Sequence, residues 1–549
     1  MRALVAPRFG PAIARFVVFP PFLSAFRGRR MAGTAPQDHS FVPPPAGEFL
    51  GHPKALWNLF GSEFWERFMY YGMRAMLAVH VAAAFFDGDK ATASKTYGGF
   101  TALVYMTGII GGFVADRILG YQRSIMLGGA LMAAGCFMLM SNDLTQFIIG
   151  LAVIVVGNGL FKPNISTMVG KLYAPGDARR DSGFTIFYMG INAGALLAPI
   201  VCASWIGANY GYRWGFFTAA IGMIFGLLVF QIVKGWLGHV GTAPETKRGF
   251  GPILQVLVGA LVLVVPVFYL LDKTWQEKLA EGFASGGMMH WLLSDLGVLG
   301  ILLVLMMLGL VAYFIYSGIR SGQREQLERY IAMLILFAAN ILFWALFEQA
   351  GSSLNFLAEN HVNMPTVFGK EVHFTIFQSV NPVFIILLAP VFAMMWPALD
   401  GKSLNPSIPR KFAFGLAGAA LGFYVLVFAI EHFADNGAKI SWLWLTLTYL
   451  IHTMGELCLS PIGLAMVTKL ARPQETGLAM GGWFLSIAMA NYVAGLLAAE
   501  ASGGDTADKA AALAQYADVF NSMFLIGIVI AVLFFFAAPL INKLMHGVK

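Results

Sequence analysis

Residues 56–86 read LWNLFGSEFWERFMYYGMRAMLAVHVAAAFF, and this stretch decides what kind of fold the chain adopts. It is long enough to cross about 30 Å of hydrocarbon as a helix. Six polar side chains nevertheless lie inside it: Glu63, Glu66, Arg67, Tyr70, Tyr71 and Arg74. Their spacing of i, i+3, i+4, i+7, i+8 and i+11 places all six on one helical face, with Phe64, Trp65, Phe68 and Met69 on the other. Glu63 and Arg67 alone also read as an ordinary i,i+4 ion pair at a helix end. The stripe, however, runs for nearly three turns, and apolar residues continue on both sides of it. A charged face at that depth must turn toward other helices or toward water.

Working outward, the rest of the chain has the same character. It has 549 residues, is 58% hydrophobic with mean hydropathy +0.70, and is only 12% charged. A soluble chain carries about 25% charged residues, so disorder, a soluble multi-enzyme chain and a nucleic-acid binder are excluded. Apolar stretches recur near 56–86, 94–115, 124–141, 144–170, 183–207, 212–233, 250–271, 291–318, 330–350, 373–398, 411–432, 440–469, 477–500 and 517–542. The pattern predicts an all-α membrane protein with 14 transmembrane helices. The short alternating strands of an outer-membrane barrel are missing. Cys136, Cys202 and Cys458 lie in apolar segments without metal-ligand spacing, which speaks against a disulfide framework or a zinc site.

Of the 36 Lys and Arg, 25 fall on the side that would hold both termini and 8 on the other; Arg67, Arg74 and Lys162 lie within spans. That bias predicts an even number of spans with both ends in the cytoplasm. Residues 1–50 are expected to be a disordered tail or to include a misassigned start, since the Arg-rich opening is broken by Pro20 and Pro21 and Met31 begins a polar leader. Beyond them the spans divide as six, two and six. A six-helix bundle is expected over 51–235, a linker with two additional lipid-facing helices over 236–325, and a second six-helix bundle over 326–549. Two such bundles around a central cavity are the common plan of secondary transporters.

Single buried ionisable groups recur in other spans. Lys162 precedes Pro163, expected to loosen its helix and free backbone carbonyls; Glu348 lies in FWALFEQAG; Glu456 has Ser460 at i+4, with Pro461 expected to break that helix. Each such charge costs at least about 2.5–3.5 kcal/mol at mid-membrane, so all must be paired, hydrated or used. Tyr105, Asn192, Asn381 and Trp483 sit at comparable depth. The single carboxylates also read as structural ion-pair partners, the Asn and Ser residues as glue between helices, and Tyr105 and Trp483 as packing aromatics.

The segment GGFVADRILGYQR (111–123) resembles the loop signature of the major facilitator superfamily, with an acid, basic residues and turn glycines at a helix junction. Glu63-Phe-Trp-Glu66-Arg67-Phe68-Met-Tyr70-Tyr71-Gly72 resembles the first-span signature, ExxERFxYYG, of the proton-dependent oligopeptide transporter (POT) family. FYMGINAGALLAPI (187–200), GNGLFKPN around Lys162 and GELCLSP around Glu456 are similar to further patterns of that family. The six-two-six layout matches its bacterial members.

This resemblance implies a symporter that imports di- and tripeptides together with protons by alternating access. Arg67, Tyr70, Tyr71 and Lys162 would contact the peptide carboxylate; Asn192, Asn381 and Glu456 would hold its amino end, with Ser460 supporting Glu456. Arg74 and Glu348 would form a bridge that opens on protonation, Glu63 and Glu66 would pair alternately with Lys162, and Tyr105 and Trp483 would shape side-chain pockets. It further implies a bacterial cytoplasmic membrane, a chain functional as a monomer, and no cofactor beyond the coupling proton. Animal members carry a functional His in the second span, where this chain has Gly98, so coupling should rest on carboxylates and salt bridges.

Charge arithmetic makes this plan sensible. Glu63, Glu66, Glu348 and Glu456 stand against Arg67, Arg74 and Lys162, a net −1 that one proton neutralises and a zwitterionic peptide leaves unchanged. Rival classes fare worse. The one GKS, at 401–403, has Trp396 where a phosphate-binding loop needs its first Gly, and HExxH and GxSxG are missing, which leaves no enzyme reading, metal or catalytic residue. A transporter of the same fold for another zwitterion or an anion, such as nitrate or a drug, is the alternative, although the acidic pair beside Arg67 disfavours a lone anion.

Overall fold

The computed structural model describes residues 41–549 apart from 248, 284, 286, 436–437, 504–507 and 549. Its backbone is fourteen long helical segments: α1 (Lys54–Phe85), α2 (Lys90–Leu119), α3 (Tyr121–Met138), α4 (Leu144–Lys171), α5 (Arg179–Tyr210), α6 (Tyr212–Ile232), α7 (Gly251–Leu271), α8 (Met288–Arg320), α9 (Arg324–His361), α10 (Phe374–Asp400), α11 (Ile408–Phe433), α12 (Trp442–Leu470), α13 (Pro473–Ser502) and α14 (Lys509–Leu544). Thirteen are long and apolar enough to cross a membrane by themselves. The exception, α3, opens with the polar turn Tyr-Gln-Arg-Ser and packs along α4 through small residues. There, a Cβ on Gly128 would sit 2.5 Å from the Gly157 carbonyl.

Each stretch expected from the sequence coincides with one of these segments to within about four residues at its ends, apart from two larger differences in extent. The span expected at 330–350 continues to His361, because Glu348–Gly351 tightens into a 3₁₀ turn and a helix resumes at Ser353. The last helix starts at Lys509, eight residues before the expected 517, capped by Asp508 on the backbone N–H groups of Ala510 and Ala511. The prolines disturb less than expected: α4 runs through Pro163 and α12 through Pro461 without a break. The N–H that Pro163 lacks leaves the Gly159 carbonyl free, and α2 closes on it at Gly111, where any side chain would collide.

The helices form two halves, α1–α6 and α9–α14, with α7 and α8 at the periphery. The outer faces of α7 and α8 expose Leu254, Leu261, Val262, Leu305 and Leu308, as suits contact with lipid. α7 packs on α4 and α2, whereas α8 packs on α9 and α13, so each is fastened to a different half. Glu475 anchors α8 by accepting from Ser317 at 2.6 Å, Tyr313 at 3.1 Å, Tyr330 of α9 and Arg472.

The halves meet at the face opposite the one on which α1 starts and α14 ends. Gly98 of α2 faces Gly495 of α13 so closely that a Cβ would sit 2.6 Å from the Gly495 Cα. An imidazole at position 98 therefore has no room here. Around this contact lie Ser94 with Ser502 (3.5 Å), Asn355 donating to the Ala75 carbonyl (3.0 Å), Ser204 with Thr375 (2.8 Å) and Ser379 donating to the Leu196 carbonyl (2.8 Å). On the terminus-bearing face, by contrast, a cavity of about 720 Å³ is lined by Gly170, Lys171, Arg180 and Phe184 of the first half and Met480 of the second. The halves are in direct contact at one end and leave this cavity at the other. Oxidising a Ser94→Cys/Ser502→Cys pair should lock the shut end and abolish transport in liposomes, with recovery on adding reductant; unaltered transport after complete cross-linking would show that this end need not part.

Residues 1–40 of the expected tail lie outside the described residues. Residues 48–53 form a small hairpin, Glu48–Phe49 against His52–Pro53. His52 Nδ1 bonds the Tyr173 hydroxyl at 2.8 Å, and Arg179 reaches Glu48 at 2.7 Å. Burial and then the Arg179 charge hold His52 below its ordinary value, against the opposing pull of Asp177 and Glu48. Docking thus favours the neutral imidazole. Its stabilisation is complete above the undocked value of about 6.5 and is lost as pH falls below that. Amide-exchange protection of the hairpin should therefore decline between pH 7.5 and 5.5, and His52→Gln should flatten that dependence.

Candidate functional site

The polar stripe of α1 is buried at the centre of the first half, as its spacing requires. Arg67 is the hub. Its Nε lies 3.3 Å from Glu63 Oε1, and the guanidinium also grips Glu66 through two parallel bonds, one of them 2.5 Å. Glu66 accepts a further contact from Asn158 at 3.5 Å. Neither Glu63 oxygen has a hydrogen-bond donor, so that carboxylate is held by charge alone. The guanidinium carbon stands 5.2 Å from the Tyr70 ring centre and 6.0 Å from that of Tyr71, within cation–π range. α5 approaches this point because residue 194 is Gly: a Cβ there would lie 2.3 Å from the Phe64 carbonyl.

Two turns further on, Arg74 reaches across to the second half while keeping a partner in the first. It donates to Glu348 of α9 and to the Tyr97 hydroxyl of α2, and sits 5.8 Å from both the Tyr71 and Tyr97 rings. The 3₁₀ turn at Glu348–Gly351 makes this possible, since it places Gly351 directly against Tyr97 and Arg74. The bridge expected between Arg74 and Glu348 is therefore formed.

Lys162 behaves differently from the expectation. Among the described residues no carboxylate oxygen lies within 4.0 Å of its ammonium; both Glu63 and Glu66 are taken by Arg67. Lys162 instead faces the Tyr105 ring at 5.4 Å, which brings these two site residues together.

In the second half, α10 and α12 bring Asn381 and Glu456 together: Asn381 Nδ2 donates to Glu456 Oε2 at 2.9 Å and to Thr453 Oγ at 3.0 Å. Pro382 sits in the first turn of the α-helical part of α10, which starts at Val380 after a 3₁₀ turn over Phe374–Ser379, so its missing N–H costs little. No hydrogen bond joins Ser460 to Glu456; the support expected of Ser460 comes from Asn381 instead. The tip of the Trp483 ring abuts α12 at Gly463, and the ring stands edge-on to Phe337 at 6.2 Å. Asn192 caps no partner across the site, since its amide donates to the Tyr188 carbonyl of its own helix at 2.9 Å. Sequence reasoning passed over Tyr97, Asn158 and Thr453. Asn158 stood within GNGLFKPN and Thr453 three residues before Glu456, so their helical spacing was a usable signal.

With this geometry in place, comparison with known proteins is decisive. Residues 122–516 match the POT family (PTR2). The chain belongs to the POT family. It is 38% identical to "Peptide transporter YePEPT" of Yersinia enterocolitica, over 83% of this chain and 89% of that one. It is 35% identical to a "Di-/tripeptide transporter" of Lactococcus lactis, over 80% and 87%. A crystal structure described as peptide transporter POT in complex with alafosfalin superposes with a TM-score of 0.76 at 37% identity, covering 92% of this chain and 98% of that chain. This POT-family chain thus shares the major facilitator fold expected from its sequence, and it is a membrane transporter rather than an enzyme.

Breaking a buried ion pair from one side leaves a charge stranded at a cost of about 3–5 kcal/mol, while removing both partners leaves none. Arg74→Gln and Glu348→Gln should each lower the thermal midpoint in detergent, and the double variant should recover most of the loss. A double variant as unstable as the sum of the singles would mean that the two groups act independently.

Proposed function

We propose that this POT-family chain is a proton-coupled symporter of di- and tripeptides. One observation carries the reading. Among the described residues Arg67, Arg74, Glu63, Glu66 and Glu348 all have ion-pair partners, whereas Lys162 and Glu456 have none within 4.0 Å. These two groups, one half-buried and one buried, are opposite in sign and lie in opposite halves, on α4 and α12. A zwitterionic ligand supplies each with its missing counter-charge: its carboxylate goes to Lys162, with Arg67, Tyr70 and Tyr71 beside it, and its ammonium to Glu456 and Asn381. Tyr105, Asn192, Ser460 and Trp483 would form the walls. Recognition of both peptide ends leaves the side chains to apolar surroundings, which suits a broad range of peptides. The names of the relatives support the same ligand class.

Proton coupling rests on the remaining charges. The triad of Glu63, Glu66 and Arg67 carries one excess negative charge, and Glu63 has no donor of its own, so Glu63 is the carboxylate best placed to take a proton. Protonating Glu348 would release Arg74 and loosen the shut end. Alternating access then follows from competition between ligand, proton and internal salt bridges. The chain would lie in a bacterial cytoplasmic membrane with both termini inside, so that the open, basic-lined end faces the cytoplasm. All the named groups come from one chain, so a monomer suffices, and the proton is the only coupling species required.

Purified protein in liposomes with an inward proton gradient should accumulate labelled dialanine, and a protonophore should abolish the accumulation. Glu456→Gln should reduce it at least tenfold, and Glu348→Gln should leave exchange but not uphill uptake. If folded wild type took up neither dialanine nor trialanine, the cavity would serve a different solute.

A further inference from the structure

The contact between α10 and α12 contains a hydrogen-bond constraint that extends beyond the two residues assigned to the ligand. Thr453 is fully buried and does not reach the space between the halves. Its hydroxyl has one hydrogen, which it donates to the Tyr449 carbonyl at 2.7 Å. Toward Asn381, at 3.0 Å, Thr453 Oγ is therefore restricted to accepting. The Asn381 atom that faces it has to be the amide nitrogen. An ionised carboxylate also only accepts, and Glu456 Oε2 lies 2.9 Å from the same nitrogen. Both amide hydrogens are thus engaged, and Asn381 Oδ1 has no hydrogen-bond partner among the described residues. Asn381 itself is half-buried, so this free oxygen is accessible to a ligand.

We propose that Thr453 is a positioning residue that fixes the orientation of the Asn381 amide, so that a primary ammonium meets two acceptors, Asn381 Oδ1 and Glu456. The proposal rests on the assignment of the ligand's amino end to Asn381 and Glu456. Glu456 alone holds the amide weakly, because its carboxylate is also the group the ammonium requires. Once Glu456 turns to the ligand, an amide without Thr453 is free to rotate and to present an N–H where an acceptor is needed. A donor facing an ammonium is repulsive, and the pocket's preference for a free amine over an acylated one falls. A group with three N–H donors gains from two acceptors, whereas an N-acetyl amide, with one, does not.

The test is dialanine uptake by the full chain in liposomes, comparing wild type with Thr453→Val, which keeps shape and loses the hydroxyl, and Thr453→Ser, which keeps the hydroxyl. The Val variant is expected to raise KM for dialanine about tenfold, the scale of one hydrogen bond to a charged group, with maximal rate within about twofold of wild type. Inhibition by N-acetyl-dialanine should stay unchanged, so that discrimination between the two compounds narrows by the same factor. The Ser variant should match wild type. An unchanged KM in the Val variant, or a Ser variant as impaired as Val, would overturn the role of Thr453 while leaving the peptide reading intact. Failure of wild type to take up dialanine would remove the peptide reading itself, and this role with it.

Discussion

Everything in this molecule depends on where charge is allowed in a low-dielectric interior. Glu63, Glu66, Arg67, Arg74, Glu348 and Glu456 are buried and Lys162 half-buried among apolar helices, and the arrangement keeps the cost finite by giving most of the seven a local counter-charge. Arg67 balances Glu63 and Glu66 within one turn of α1, and Arg74 balances Glu348 across the two halves. The first pairing is intrinsic to a helix and survives any movement of the halves. The second exists only while α1 and α9 are adjacent. Electrostatics thus divides the buried groups into those that hold α1 together and those that report on the conformation.

Two groups are left over, and the proposed site is built on them. Lys162 has an aromatic face instead of a carboxylate, and Glu456 has an amide instead of a cation. Neutral partners of this kind reduce the desolvation cost without cancelling the charge. Each group therefore remains available to a charged ligand at less expense than breaking an ion pair would demand. Were Lys162 bonded to Glu66, a peptide carboxylate would first have to displace it.

Much of the fold was legible because membrane helices advertise themselves by length and apolarity, and a three-turn polar stripe on α1 has only one way to face. The six-two-six organisation and the contact between Arg74 and Glu348 followed from that logic together with the family resemblance. What escaped was set by partners distant in sequence. Lys162 was expected against Glu63 or Glu66, but nothing in its own neighbourhood shows that Arg67 occupies both. Ser460 stood at the right helical spacing from Glu456, yet α10 supplies Asn381 to the same carboxylate, and a hydrogen bond between helices leaves no periodic trace. The prolines misled for a related reason. Pro163 does free a backbone carbonyl, as expected, but that carbonyl is packed against Gly111 of another helix and α4 continues to Lys171, while α12 continues through Pro461 where a break was expected.

The shut end completes the logic. Apart from Arg74 and Glu348, the contacts described there are neutral: hydroxyl with hydroxyl, amide with carbonyl, and the glycine pair Gly98 and Gly495 that lets α2 and α13 touch at the backbone. Neutral hydrogen bonds contribute only about 1 kcal/mol each in net terms, so no single one of these contacts commits the end to staying closed. The buried ion pair is the one element there whose strength changes with a proton. With glycine at position 98 there is no imidazole at this contact, and the Arg74–Glu348 pair is the charged link described between the two halves there. An ion pair that spans α1 and α9 ties the charge state of two side chains to the contact between two halves, which a hydroxyl or amide contact does not do.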